Sequence, residues 1–146
     1  MRRYLLILPF LVACGGSETP AADSAAAAMP PALTDADVAG TWTGTAINEP
    51  PDTGTISFTI TCGGGSCHSV SSNAPKDTVP STYVLAADSS TGMSSPTKDP
   101  QSGAMVVDHW VARVTGNQVT GHGWVTLAEK PDSVVARYRF TGTRNP

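Results

Sequence analysis

Residues 105–127, read as MVVDHWVARVTGNQVTGHGWVTL, alternate so regularly between two side-chain sets that they admit little besides a β-hairpin. Gly116-Asn117 falls at the bend, a pair suited to the positive φ of a primed two-residue turn. That register sets Thr115 opposite Gln118, Ala112 opposite Gly121 and Trp110 opposite Gly123. One face then carries Val106, Asp108, Trp110, Ala112 and Val114 with Val119, Gly121, Gly123, Val125 and Leu127. The other carries His109, Val111, Arg113 and Thr115 with Gln118, Thr120, His122, Trp124 and Thr126. The first is the expected core face, where Gly121 and Gly123 leave room for the Trp110 ring.

The same grammar runs through the chain from Leu33 onward. Ile56, Phe58, Ile60 and Cys62 alternate with threonine and serine, and Val134, Ala136, Tyr138 and Phe140 alternate with Ser133, Val135, Arg137, Arg139 and Thr141. Strands are expected near 40–48, 54–62, 67–72, 81–87, 104–115, 118–128 and 133–143. A single helical turn is expected in LTDADVAG (Leu33–Gly40), capped by Thr34. The polar stretch DSSTGMSSPTKDPQSG (Asp88–Gly103) reads as a long loop, either disordered or a lid. The expected class is all-β: one antiparallel up-and-down meander, a small closed or partly open barrel of about 7–8 strands, because closure removes exposed edges. A β-sandwich remains an alternative on the sequence alone.

The amino terminus belongs to a different part of the molecule. Arg2 and Arg3 precede the apolar run Tyr4–Val12, which is interrupted by Pro9 and is far shorter than the ~20 residues of a spanning helix. Leu11-Val12-Ala13-Cys14 resembles the lipobox of bacterial lipoproteins, with Gly15 following the cysteine. The resemblance implies cleavage after residue 13 and acylation of Cys14, which anchors the mature chain durably to a bilayer. Residues 14–32 are rich in Ala, Gly, Ser and Pro and read as a flexible tether, leaving 33–146 as one domain. By analogy with enterobacterial sorting, Gly15 suggests an outer-membrane destination facing the periplasm. Losing Arg2 and Arg3 from nine basic residues leaves seven against twelve acidic ones, about −5. With no basic cluster, nucleic acid is not an expected partner.

A second resemblance lies in the domain. VAGTWTGTA (Val38–Ala46) is similar to the opening strand of calycins, the barrels of lipocalin and avidin type, with Gly40-Thr41-Trp42 matching their Gly-x-Trp. RYRFTGTR (Arg137–Arg144) is similar to the closing strand of small secreted bacterial barrels. The likeness implies an up-and-down barrel in which Arg139 or Arg144 packs across Trp42, and an interior that takes a small apolar ligand.

TCGGGSCH (Thr61–His68) is the stretch that most suggests chemistry. Covalent haem needs two thioether cysteines and a histidine ligand, but the spacing is unusual and the site joins two strands. Zinc needs four ligands, and Cys62, Cys67 and His68 supply three. With Cys14 consumed by lipid, an even pair remains in an oxidising compartment, so Cys62–Cys67 is expected to be a disulfide and no metal or cofactor is expected. His109 and His122 share the outward face on adjacent strands, diagonally offset. Asp108 points inward beside Trp110, a costly position for a carboxylate without a partner. A rim position, a bond to Tyr138 or Arg144, and contact with a ligand are its alternatives.

No nucleophile elbow, zinc-protease helix or phosphate loop occurs, and Asp108 and His109 point to opposite faces of one strand. The expected function is a non-catalytic, lipid-anchored envelope barrel. A small apolar ligand would meet Trp42, Asp108, Trp110 and Tyr138. The competing expectation is a structural or protein-interaction module using the outer face (Trp124, Val111, Arg113, Arg137) and the 88–103 loop.

Overall fold

The computed structural model describes residues 32–146. The expected 1–13 signal peptide, Cys14 and all but the last residue of the expected 14–32 tether lie outside the described residues. No helix among the described residues is long and apolar enough to cross a membrane.

A four-residue helical turn, α1 (Asp35–Val38), precedes nine strands. These are β1 (Gly40–Asn48), β2 (Thr55–Gly63), β3 (Ser66–Ser71), β4 (Ala74–Leu85), β5 (Ser90–Ser94), β6 (Thr97–Lys98), β7 (Met105–Thr115), β8 (Gln118–Leu127) and β9 (Lys130–Arg144). Every pairing is antiparallel. β1 through β5 pair in sequence, β5 pairs with β7, β7 with β8, β8 with β9, and β9 returns to β1. The result is a closed eight-stranded barrel with β6 as an extra strand beside the start of β7. Closure leaves neither a sandwich nor an open meander as a description of this chain.

The hairpin register is the one expected from sequence: Thr115 pairs with Gln118, Ala112 with Gly121 and Trp110 with Gly123. Gly116 takes φ +58° while no non-glycine residue among the described residues has positive φ, which fits a primed turn with glycine at its first central position. α1 forms as expected, and the Thr34 N–H and hydroxyl both donate to Asp37 Oδ2, at 2.9 and 2.6 Å.

Four expectations need correction. The 88–103 stretch is not simply a loop, because β5 and β6 lie within it and β5 closes the barrel. Its inward positions are Ser90, Gly92 and Ser94, small and mostly polar, so no apolar alternation marks it as a strand. β4 begins at Ala74 rather than near 81, carrying Pro75 and Pro80 within a strand whose register is irregular near Ser69–Ser71 of β3. Gly121 and Gly123 do not make room for Trp110. A Cβ at Gly121 would overlap Phe140, one at Gly123 would overlap Tyr138, and the Trp110 ring lies over Gly92. Finally, a bulge between Val125 and Thr126 shifts β9, so Thr126 pairs with Val134 and the residue turned toward the interior is Val135.

The corrected glycine positions show how the interior packs. Reading across β9, β8, β7, β5 and β4, one register row runs Tyr138, Gly123, Trp110, Gly92, Tyr83. Aromatic and glycine alternate, so the Tyr138 ring lies across the bare backbone of Gly123 and the Trp110 ring across that of Gly92. Next along, Phe140 covers Gly121, and Phe58 lies 2.7 Å from where a Gly44 Cβ would sit. Rings laid flat against the wall occupy less of the central space than the same rings pointing inward.

Candidate functional site

One end of the barrel is sealed from the residues just before β1. Val38 is buried at that end, and the Trp42 indole N–H donates to its carbonyl at 2.8 Å. The Arg144 guanidinium lies 4.6 Å from the Trp42 ring centroid and donates to the carbonyls of Ala36 and Asp37. Arg144 thus takes the part that the calycin likeness left to it or Arg139; Arg139 instead pairs with Glu49 on the outside. Asp35 ties the turn to the wall, accepting from the Tyr83 hydroxyl and from the Gly64 and Gly65 amides. The Tyr83 bond, then the two amides, hold the Asp35 carboxyl below its ordinary range.

The Cys62–Cys67 disulfide stands beside this seal, across a directly opposed pair of β2 and β3 with a Cα–Cα distance of 4.1 Å. Gly64 and Gly65, with φ of +61° and +79°, make the tight turn that brings the two together. Both sulfurs are engaged with each other, so neither is a thioether to haem or a thiolate for zinc. Among the described residues no cluster of three or more His, Cys, Asp or Glu is arranged to hold a metal.

Above the seal lies a cavity of about 660 Å³, within the range of small-molecule sites. Trp42, Asp108, Trp110 and Tyr138, the four residues singled out from sequence, all line it. Trp42 forms its floor, and the opposite end opens among Asn48, Asp52, Asn73, Asp77 and the Lys98–Ser102 segment. Apolar side chains from β1, β2, β7, β8 and β9 make most of the wall. Serines from β3, β4 and β5 make the remainder: Ser69, Ser71, Ser81, Ser90 and Ser94. The sequence reading missed this polar side. Its only signal was the i, i+2, i+4 spacing of Ser90, Gly92 and Ser94.

Asp108 is the one carboxyl in the middle of the cavity. The Tyr138 hydroxyl donates to both its oxygens, at 2.8 and 3.0 Å, and its own N–H donates to Ser94 Oγ at 2.9 Å. Of the alternatives weighed from sequence, the bond to Tyr138 is the one present. Burial pushes the carboxyl up to about 7, against the opposing pull of the Tyr138 hydroxyl and the His109 amide. Tyr138 is pushed upward in turn, first by burial and then by the adjacent carboxyl, so it stays protonated and remains the donor.

The outer-face histidines each pack against Trp124, His109 half-buried and His122 exposed. The His109 ring is stacked at 5.3 Å and that of His122 at 6.4 Å, and His109 Nε2 lies 3.2 Å from Thr126 Oγ1.

No protein-family model matches this chain, and searches of curated proteins and of solved structures find no significant match.

Proposed function

We propose that this chain is a calycin-like carrier or sensor of small, largely apolar molecules, tethered to the cell envelope through acylated Cys14 and without catalytic activity. The observation that carries the reading is the 660 Å³ cavity, apolar over most of its wall, with a single buried carboxyl–phenol pair as an orienting contact. The Gly-x-Trp strand, the helical turn before it and the arginine over the tryptophan support the calycin part. The lipobox-like LVAC supports the envelope part. The competing outer-face reading has less support, because two of its anchors are already engaged within the chain. Arg113 pairs with Asp88 at 3.1 Å, and Trp124 lies between two histidines.

Native and denaturing mass spectra of the full protein, purified from a bacterial envelope, test both halves. A small molecule present in the native spectrum and lost on denaturation supports the carrier. A bare native mass, together with no response of tryptophan fluorescence to a panel of apolar ligands, removes it. An acyl mass increment that persists on denaturation and vanishes in Cys14→Ser supports the anchor; its absence in the unmodified chain removes that part.

A further inference from the structure

The chemistry of the cavity wall narrows the class of ligand, an inference that rests on the carrier reading above. Charge is the first observation. Among the described residues, the carboxylates that line the cavity or its mouth are Asp52, Asp77, Asp99 and Asp108, and the only basic lining residue is Lys98, at the rim. The ion pairs among the described residues, Arg113–Asp88 and Arg139–Glu49, involve none of these. Asp52 is held by the Gly54 amide and the Asn48 side chain, and Asp99 by Ser102. Carboxylates outnumber the single lysine in this concave site, which focuses a net negative potential, so an anionic amphiphile meets repulsion beyond the rim.

Unsatisfied hydrogen-bonding capacity is the second observation, independent of charge. Ser81 and Ser90 are 7% and 1% exposed, line the cavity, and their hydroxyls have no hydrogen-bond partner among the described residues. Buried hydroxyls are rarely left so. Ser81 pairs in register with Ser94, whose hydroxyl accepts from the Asp108 amide, so an arc of polar groups crosses β4, β5 and β7. Asp108 itself receives a single hydroxyl proton from Tyr138, although a carboxylate has about four lone-pair sites. It keeps some accessible surface while lying deep in the barrel, which turns that surface toward the cavity.

We infer that the cavity takes a cationic amphiphile: an apolar body carrying one protonated amine, with the ammonium against Asp108 and its remaining protons directed to the serine arc. An ammonium offers three donors and no acceptor, which suits a carboxylate with spare lone pairs flanked by hydroxyls that can turn to accept. The apolar body lies against Trp110, Phe58 and the aliphatic wall.

The inference ties affinity to pH. The titratable and charged groups that line the cavity with Asp108 are Tyr138 from β9, Asp77 from β4, Lys98 and Asp99 from the β6 segment and Asp52 from the β1–β2 turn. Tyr138 stays protonated, and Asp99 is held below the ordinary range by Ser102. Asp108, raised to about 7, is therefore the group whose ionisation switches near neutrality.

The test uses three probes of nearly equal size: 2-naphthylmethylamine, 2-naphthalenemethanol and 2-naphthoate. Each is titrated calorimetrically into the full chain held in phosphatidylcholine nanodiscs, with chain-free nanodiscs as the blank. The expected order at pH 8 is amine, then alcohol, then carboxylate, with about tenfold or more between the first two. The amine's affinity falls as pH drops through about 7, whereas the alcohol's stays flat. Asp108→Asn brings amine and alcohol to within about threefold of each other, chiefly by weakening the amine. The pH profile needs no substitution, so the inference stays testable even where that variant fails to fold. Equal binding of amine and alcohol, a pH-independent amine, or a preference for naphthoate overturns the amine inference and leaves the carrier. Failure of all three probes to bind overturns both.

Discussion

The Tyr138 hydroxyl bridges both oxygens of Asp108, and it is the only side-chain donor that this carboxyl has among the described residues. One phenol is weak compensation for moving a carboxylate out of water, so the folded carboxyl rises from the ordinary 3.8 to about 7. A raised carboxyl has a definite sign in linkage. The folded state binds the proton more tightly than the unfolded state, so stability is fully present below about pH 4 and declines as pH rises through about 7. Asp108→Asn is expected to be near neutral at pH 4 and to stabilise the ligand-free barrel at pH 8 by about 2–4 kcal/mol. Urea midpoints of both proteins at the two pH values check this; a variant less stable than wild type at pH 8 rejects the burial account.

Asp35 has the opposite sign. Its carboxyl is lowered, chiefly by the Tyr83 hydroxyl, so its contribution is present above about 3.8 and disappears as pH falls through its folded value. Asp35→Asn is expected to loosen the Gly64-Gly65 turn and α1 at pH 7, with the difference from wild type shrinking in acid. Amide hydrogen exchange at Gly64 and Gly65 is the direct measurement, and unchanged protection at pH 7 would contradict the role assigned to Asp35.

Gly92 is small because Trp110 occupies the space above it. Gly92→Ala must displace the indole or bend β5, an overpacking cost of about 1–3 kcal/mol. The expected result is a lower urea midpoint together with a shifted tryptophan emission. A midpoint within experimental error of wild type would mean that the ring moves freely, against the flat packing described above.

Arg144 joins the last strand to the first helical turn through the Trp42 ring and two carbonyls. Arg144→Ala is expected to cost about 2 kcal/mol, and Arg144→Lys to recover less than half of it, because an ammonium cannot stack flat and donate to two carbonyls at once. Urea unfolding of the pair decides between them; full recovery by lysine would reduce the contact to simple charge.

The 105–127 hairpin was legible to the residue because valine and tryptophan alternate with polar groups around a Gly-Asn turn, and that alternation fixes the register. The inward faces of β2 and most of β7 to β9 followed from the same rule. β5 was not legible, because what its position demands is the absence of bulk: Gly92 is small because Trp110 lies across from it, with small Ser90 and Ser94 as the other inward residues, and no local apolar pattern reveals this. The Val134–Val135 shift was hidden for a related reason, since a bulge changes parity without changing composition. In the cavity, Trp42, Asp108, Trp110 and Tyr138 could be placed from strand parity alone. The serine arc could not, because serines on a strand read as a solvent face until the barrel is known to close.

β1 and β9, the first and last strands, are hydrogen-bonded neighbours, and Thr43 meets Asn145 across 102 residues of chain. The seam is therefore among the most non-local contacts of the described residues and among the costliest in loop-closure entropy. A chain delivered amino-terminus first holds β1 unpaired on one side until the fifteen residues of β9 have arrived. Completion of the barrel is then timed by the arrival of β9. A truncation inside β9 leaves two open edges ready to pair with other chains, whereas loss of a few residues at the mouth leaves the seam whole.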